Sequence, residues 1–286
     1  MTDDRELLIP QPPKLAELTR PSTEPADRAV TQANHNEPIV NPPAKMEKDE
    51  DLAAMKRIQQ AAAEAYAKLD VFDARLTRRE SINGKPNPQE IIRFKFRQQP
   101  YSVHLTWIGG DPSAIGREMI FVQGQHSNKM HIKPTKADAA PLPPLRLSFP
   151  PDDSMVRSKS RHDIREAGMA MGIKHLAELL PAIDKNASLR TRLKYLGAIQ
   201  RAEYVSKMEA IEETIPPKTE KLAPQGAKRT YFFDTTPNAI STGLPVLVVM
   251  FDNTGKEVEY YCFDRFQSAV RFTDADFDPD KVWSRK

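Results

Sequence analysis

An acidic run at residues 272–280, FTDADFDPD, is the first candidate for chemistry in this sequence. Its aspartates stand at alternate positions, which is how an EF-hand calcium loop begins; they are Asp274, Asp276 and Asp278. Such a loop also needs glycine at its sixth position and glutamate at its twelfth, where this chain has Pro279 and Arg285. The mismatch favours a turn whose aspartates bond backbone amides and seat Phe277 against the fold, although a calcium site of other geometry stays open.

A second polar cluster, SRHDIREAG at residues 160–168, combines a hydroxyl, an imidazole and carboxylates. A hydrolase could use His162 with a carboxylate, but the members of a catalytic triad are assembled by the fold and neighbours in sequence usually point apart. Asp163 and Glu166 instead have the spacing of a helix-capping box. We therefore predict no catalytic residue here and assign Arg161 and His162 to the polar mouth of a binding site.

The other histidines and the cysteine offer little further chemistry. His126 and His131 could face each other across a hairpin and begin a metal site, but no third ligand is evident, so no metal is predicted. His104 falls on the polar face of its strand and is expected to be solvated. Cys262 is the one cysteine of the chain, which excludes an internal disulfide and a zinc site built from cysteines.

A stripe of basic side chains is predicted along two neighbouring strands; its members are Arg75, Arg78, Arg79, Arg93, Lys95 and Arg97. Like charges opposed across a hairpin repel, so acidic residues such as Glu80 and Glu90 should interleave with them. The ordinary interpretation is a solvated outer face. The alternative is a patch for an anionic partner such as a lipid head group.

Composition excludes several classes of function. The 286 residues carry 42 basic and 39 acidic side chains, a near balance that gives no argument for nucleic-acid binding. No apolar run approaches the roughly 20 residues of a transmembrane segment. The sequence also lacks a glycine-rich phosphate loop, and no cofactor is predicted.

The N-terminal region differs in composition from the rest of the chain. Residues 1–47 contain eight prolines and no aromatic residue, so they are predicted to form a disordered tail ahead of a single domain at residues 48–283. The first residues are acidic where a signal peptide needs basic ones, and no apolar segment follows. No export signal is therefore visible as written, which leaves a cytoplasmic location as an alternative.

The elements that must position these groups follow from hydrophobic periodicity. Helical spacing predicts a first helix over residues 49–69 and a second from about residue 163, which Pro181 should end or bend. Residues 188–213 mix helix propensity with alternation, and strands are favoured there because further strand signals follow. Alternation elsewhere predicts strands near residues 71–82, 90–98, 101–108, 117–124, 128–133, 145–149, 229–235, 244–252 and 256–263.

These elements predict an α+β fold. About nine to eleven antiparallel strands should form a strongly curved sheet or an unclosed β-barrel. Two or three helices are expected on its concave side. Such a barrel has an apolar interior in which a small ligand can bind.

Five phrases in this order resemble a bacterial family, domain of unknown function 1571: RRESINGK, IIRFKFRQQPYSVHLTW, GREMIFVQG, SRHDIREAG and FTDADFDPD. The resemblance covers roughly residues 50–280. It implies the lipoprotein-carrier (LolA-like) fold, an open barrel covered by helices, with a lipoprotein acyl chain as ligand. Family members are usually exported, which implies the periplasm or cell envelope. The family carries no established catalytic residues, so none is transferred.

The leading hypothesis is therefore a non-enzymatic cell-envelope protein that holds a lipid or lipoprotein acyl chain in an open barrel. The residues expected on the apolar barrel face are Phe94, Phe96, Val103, Leu105 and Trp107. One alternative is a structural or interaction protein whose barrel is filled by its own side chains. Another is a hydrolase using His162. The volume of any cavity distinguishes the binding protein from the filled barrel. The sequence does not predict the oligomeric state.

Overall fold

The computed structural model describes residues 48–141, 143, 145–221, 223–267 and 270–284. All of them fall within one compact unit of the chain, residues 38–286. The predicted disordered tail at residues 1–47 lies outside the described residues, so its prediction is untested.

The described residues form five α-helices and twelve β-strands. The helices are α1 (Lys48–Ala67), α2 (Lys136–Ala139), α3 (Ser154–Arg157), α4 (Ala170–Lys185) and α5 (Pro279–Ser284). The strands are β1 (Val71–Ile82), β2 (Lys85–Pro86), β3 (Glu90–Arg97), β4 (Ser102–Gly110), β5 (Glu118–Val122), β6 (Met130–Lys133), β7 (Leu147–Phe149), β8 (Leu193–Ile199), β9 (Met208–Ile215), β10 (Ala227–Phe233), β11 (Pro245–Asp252) and β12 (Glu257–Gln267).

All twelve strands belong to one antiparallel sheet. Its order is β7-β6-β5-β4-β3-β1-β12-β11-β10-β9-β8, and β2 pairs with β1. The edge strands β7 and β8 do not pair with each other in the described part of the chain, so the sheet is open. The predicted α+β class with an open, curved antiparallel sheet is confirmed. The sheet has one strand more than the predicted nine to eleven. The additional strand is β2, a two-residue continuation of the hairpin at Asn83–Gly84, where both residues have positive φ.

Period-two alternation builds the inner face of the sheet, defined here as the face that carries Phe72, Phe94 and Phe96. Phe72 pairs with Phe96 and Ala74 with Phe94 across β1 and β3. The ring centroids of Phe72 and Phe96 lie 4.9 Å apart. Phe96 is in turn paired with Val103 of β4, so these strands present one continuous apolar surface.

Two long helices cover the inner face. Helix α1 contacts α4, and its Tyr66 ring lies 6.1 Å from the ring of Phe96. Helix α4 approaches the sheet closely at Gly172, where a Cβ atom would lie 2.9 Å from the Tyr231 ring. Glycine at this position therefore lets the helix pack directly on the aromatic face. The predicted first helix is confirmed, with α1 ending at Ala67.

The second helix differs from the prediction at both ends. The capping box of Asp163 and Glu166 is present, but it caps a single 3-10 turn, Ile164–Glu166. Gly168 then adopts a positive φ of 101°, and α4 begins only at Ala170. Pro181 does not end the helix, which continues to Lys185. Buried side chains on both sides of the proline offset the lost backbone hydrogen bond.

The ambiguous stretch at residues 188–213 is largely strand. It contains β8 and most of β9, preceded by a 3-10 segment, so the interpretation in favour of strands is confirmed. None of the helices in the described ranges combines the length and apolar character needed to cross a membrane.

The acidic run at residues 272–280 covers the outer face of the sheet. Phe277 and Trp283 pack with Ile120 and Val122 of β5 in a small separate core. Two of the predicted backbone caps are present: the Asp276 carboxylate accepts from the Thr273 amide at 2.8 Å, and that of Asp278 accepts from the Asp280 amide at 2.9 Å. The remaining aspartate, Asp274, departs from the prediction, because it pairs with Arg97 at 2.7 Å. Arg285 lies outside the described residues.

This covering segment explains why His104 is not solvated. His104 is 5% exposed, and its Nε2 lies 3.1 Å from Glu118 Oε2. Trp283 donates its indole N–H to the same carboxylate oxygen at 3.2 Å. Strand alternation placed His104 correctly on the outer face, but this part of the face is buried by residues far away in sequence.

The predicted basic stripe is split between the two faces. Its outward arginines are paired with carboxylates, as Arg75–Asp264, Arg79–Glu257, Arg93–Asp73 and Arg97–Asp274. Arg78 points inward instead, because it shares its face with Leu76, and it bonds Glu90 at 2.7 Å. Glu80, on the same strand, also points inward and lies 4.0 Å from Arg78, so both predicted acids compensate the inward arginine and not the outward ones.

Candidate functional site

A cavity of about 850 Å³ lies between the inner face of the sheet and the segment that leads from β6 to the start of α4. A packed protein interior holds few voids larger than a water molecule, and ligand cavities have volumes of about 300–1,000 Å³. The void therefore has the size of a small-molecule site.

Most of the cavity wall is apolar. Phe94, Leu105 and Trp107 line it from β3 and β4. On the opposite side, Ile164 and Met169 line it from the 3-10 turn and the residue before α4. Because these side chains offer no hydrogen bonds apart from the indole of Trp107, the wall suits a hydrocarbon chain.

Two of the predicted apolar residues do not line this cavity. Phe96 and Val103 pair with each other across β3 and β4, and both are buried. Phe96 packs instead against Phe72 and against Tyr101, whose ring centroid is 5.6 Å away. The predicted set is thus divided between cavity wall and core, and its ligand-binding role remains a prediction.

The opposite end of the cavity is polar and begins with two carboxylates. Glu80 of β1 and Glu259 of β12 stand directly opposite each other in register, and both line the cavity. Like charges in this position repel unless cations compensate them. Arg161 lies beside the pair and donates its Nε to Glu259 at 2.6 Å and its Nη1 to the carbonyl of Ser81 at 2.9 Å.

The two residues predicted at the polar mouth are placed differently. The Arg161 side chain is 2% exposed and bridges strands β1 and β12 rather than lining an opening. His162 does line the cavity and is 22% exposed, with its Nε2 3.2 Å from Glu259 Oε1. Its Nδ1 lies 3.9 Å from Glu166. Both ring nitrogens face carboxylates, so this geometry is not that of a histidine activating a hydroxyl nucleophile.

Arg229 extends the polar cluster towards the far edge of the sheet. Its two terminal nitrogens each donate to Glu220 at 2.9 Å. Its Nη1 lies 3.7 Å from Glu213, and its Nε lies 3.6 Å from Glu259 Oε2. His175 holds Glu213 from the helix side at 2.9 Å. The cluster therefore ties α4 to the inner face of the sheet.

These contacts shift the pKa of two groups in the cluster, Glu259 and Tyr261. Burial by itself raises the pKa of Glu259, but the hydrogen bond and charge of His162, with Arg229 and Arg161, outweigh it and hold the pKa well below its usual range. Burial and the neighbouring carboxylates Glu259 and Glu80 raise the pKa of Tyr261 well above its usual value. The carboxylate is therefore charged and the phenol neutral at physiological pH.

Only one of the two carboxylate oxygens of Glu80 is hydrogen-bonded by its neighbours in the described chain. Its Oε1 accepts the Tyr261 hydroxyl at 2.6 Å and lies 3.5 Å from the Ser160 hydroxyl. Its Oε2 is buried and has no hydrogen-bond partner in the described part of the chain. The closest cation on that side is Nη1 of Arg78, 4.0 Å away. A buried acceptor without a donor is costly, so this oxygen is a point where a ligand could contribute.

Sequence reasoning missed Glu80, Glu259 and Arg229. One signal was present, since Glu80 has the same strand parity as Phe72 and Leu76, which marks a carboxylate on an apolar face. The opposition of Glu80 and Glu259 could not be read from the sequence, because it depends on the pairing of the first strand with the last.

The two histidines considered for a metal site are close together. His126 and His131 do meet, with ring centroids 5.4 Å apart. The described ranges contain no group of three or more histidine, cysteine, aspartate or glutamate residues that could hold a metal ion.

The family described as "Protein of unknown function (DUF1571)" matches residues 69–282, which span the sheet and the cavity. The chain belongs to this family. The membership expected from the five sequence phrases is therefore confirmed, while no curated protein matches the sequence.

Several solved structures are similar to this DUF1571 protein. An uncharacterised conserved protein from Thermus thermophilus has a TM-score of 0.43 and 8% identity, over 78% of this chain and 92% of that one. The lipoprotein LppX from Mycobacterium tuberculosis has a TM-score of 0.42 and 12% identity, over 77% and 99%. A LolA superfamily protein from Nitrosomonas europaea has a TM-score of 0.35 and 10% identity, over 79% and 98%. At these identities the neighbours do not indicate what this chain binds.

Proposed function

We propose that this DUF1571 protein is a non-enzymatic binding protein that holds a lipid or a lipoprotein acyl chain in its open sheet. The observation that carries the proposal is the cavity of about 850 Å³ with a mainly apolar wall. Its volume is within the range of known ligand sites, and an alkyl chain gains about 0.8 kcal/mol for each buried CH₂ group.

The rim of the cavity supports the same proposal. Leu145, Leu147 and Met155 line the cavity yet are 66%, 40% and 59% exposed. Apolar side chains that are both lining and exposed give a hydrocarbon chain an apolar path from the outside to the interior. A barrel filled by its own side chains, the alternative function, would leave neither a void of this size nor such a rim.

The location we propose is the cell envelope, which rests on the resemblance of the sequence to a family whose members are usually exported. Fractionation of cells that produce the protein with its native upstream sequence tests it. Recovery of the chain in the cytoplasmic fraction would favour the alternative location.

Two measurements test ligand binding. We expect organic extraction of the purified protein to release lipid that mass spectrometry detects. We also expect N-phenylnaphthylamine, an uncharged apolar probe, to bind saturably with increased fluorescence. A protein that releases no lipid and binds the probe without saturation would show that the cavity holds no ligand.

A cavity-filling variant connects the probe to the cavity. Ala167 lines the void, so Ala167→Phe should weaken probe binding by about tenfold or more, because the new ring occupies ligand space. Ala53 is an exposed position of α1 outside the lining, so Ala53→Phe is a matched control that should bind as the wild type does. Equal probe binding by both variants would place the probe elsewhere on the protein.

A further inference from the structure

The polar end of the cavity contains two buried polar atoms that make no hydrogen bond in the described part of the chain. Glu80 Oε2 is an acceptor without a donor, and Arg229 Nε is a donor whose charged neighbour, Glu259 Oε2, lies 3.6 Å away, just beyond hydrogen-bond distance. Both residues line the cavity and are 5% and 6% exposed, respectively. A buried polar atom with no partner costs about 1–3 kcal/mol, so the pair marks a place where a bound molecule can supply both a donor and an acceptor.

Charges of both signs surround these atoms. The carboxylates Glu80, Glu90 and Glu259 lie among the guanidinium groups of Arg78, Arg161 and Arg229, and Arg229 is also held by Glu213 and Glu220. An anionic head group would place an additional negative charge beside the two opposed carboxylates. A cationic head group would lie among three guanidinium groups. An uncharged head group avoids both costs of buried charge.

We propose that the polar end of the cavity binds the uncharged, hydroxyl-bearing head group of an amphiphile, with Glu80 Oε2 accepting a hydrogen bond from a head-group hydroxyl and Arg229 Nε donating to a head-group oxygen. A hydroxyl is the simplest group that both donates and accepts without carrying charge. The proposal rests on the function proposed above and adds the chemical class of the ligand's polar end.

The hydrogen bonds of two neighbouring aromatic residues agree with this assignment. The Tyr261 hydroxyl occupies Glu80 Oε1 at 2.6 Å, which holds the carboxylate in place and leaves its second oxygen for the ligand. The Trp107 indole donates to Glu90 at 2.7 Å, so the apolar wall begins directly beside the polar end. Polar and apolar side chains therefore adjoin within one cavity.

The test compares three amphiphiles of equal chain length that differ only in the head group. Monomyristoylglycerol carries hydroxyls, myristic acid a carboxylate at neutral pH, and myristylamine an ammonium group. Each displaces N-phenylnaphthylamine from the wild-type protein, below its critical micelle concentration. We expect the glyceride to compete at about tenfold lower concentration than either charged amphiphile, the ratio that corresponds to one charge-assisted hydrogen bond.

Glu80→Gln tests the residue. The variant keeps one side-chain oxygen, which accepts from the Tyr261 hydroxyl, and replaces the charged acceptor at Oε2 with a neutral amide nitrogen. We therefore expect the preference for the glyceride to fall by about tenfold while the probe itself still binds. Glu118→Gln is the matched control, because Glu118 is also a buried carboxylate of the sheet but lies on the outer face. That control should keep the wild-type preference for the glyceride.

Each outcome bears on one of the two proposals. Equal or tighter binding of myristic acid to the wild type, or tighter binding of myristylamine, would overturn the hydroxyl assignment. Retention of the preference in a folded Glu80→Gln variant would remove Glu80 from the site. If the probe does not bind the wild type saturably, the proposed binding function itself fails, and the head-group inference fails with it. The wild-type comparison needs no variant, so it stands even if Glu80→Gln does not fold.

Discussion

Two buried carboxylates on opposite faces of the same sheet, Glu118 and Glu80, show that a buried carboxylate is not by itself a binding site. On the outer face, Glu118 is held by His104 and Trp283 through Oε2 and by Lys133 through Oε1 at 3.3 Å. On the inner face, Glu80 has one oxygen engaged by Tyr261 and one without a hydrogen bond in the described chain.

The difference lies in what covers each face. The outer carboxylate is covered by the acidic C-terminal segment, which brings Trp283 as a donor and packs it in the small core around Phe277. The inner carboxylate is covered by the segment between β6 and α4, which brings Ser160 beside it, and the cavity lies between this segment and the sheet. A fully partnered carboxylate stabilises the fold, whereas one that faces a cavity with a free oxygen can serve a ligand.

The largest effect is expected from a substitution in the polar cluster of the inner face, around Glu259. Arg161→Ala should lower the free energy of unfolding by about 3–5 kcal/mol, because it leaves Glu259 buried and charged without its closest guanidinium. Urea unfolding followed by circular dichroism measures this. Arg146→Ala is the control, since its partner Asp280 is 92% exposed and the loss should stay below about 1 kcal/mol. Equal losses in the two variants would contradict the buried role of Arg161.

Lowering the pH should destabilise the folded protein through the same polar cluster. Because the pKa of Glu259 is held well below its value of about 4.3 in an unfolded chain, its contribution to stability is complete above that value and is lost as the pH falls towards the folded pKa. The slope from this one carboxylate is at most about 1.4 kcal/mol per pH unit. Unfolding free energies between about pH 6 and pH 3 should therefore decline, and less steeply in Glu259→Gln. An unchanged slope in that variant would exclude Glu259 as the source.

A substitution on the outer face sharpens the comparison, because it should change stability without changing binding. Glu118→Gln should cost about 1–3 kcal/mol, since the charged acceptor of His104, Lys133 and Trp283 is lost. Thermal unfolding and probe fluorescence on the same sample test both statements. Weakened probe binding in a folded Glu118→Gln protein would show that the two faces are coupled.

The smallest effect is expected in the segment that covers the outer face. Asp276→Ala removes the carboxylate that accepts from the Thr273 amide and should cost about 1 kcal/mol, as for a lost helix cap. Thermal unfolding measures the change. A melting temperature raised strongly by added calcium in the wild type would contradict the structural role of this acidic segment.

Local pattern predicted much of the fold but not the environment of individual polar residues. Alternation placed Phe94 and His104 on the correct faces of their strands, and Asn83–Gly84 forms the predicted turn. The same pattern could not show that His104 is buried, because the residues that cover it come from the end of the chain. The predicted start of the second helix was also wrong, because a single 3-10 turn satisfies a capping box as well as a helix does.

The sequence by itself determined the faces of the strands, the turn chemistry and membership of the DUF1571 family, because these depend on short-range periodicity and on ordered local phrases. Only the tertiary structure decided that Glu80 stands opposite Glu259, that Arg161 lies between distant strands, and that a cavity lies between the sheet and the segment that leads to α4. Register between strands that are far apart in sequence is set by packing across the whole sheet. The candidate site is a product of that packing.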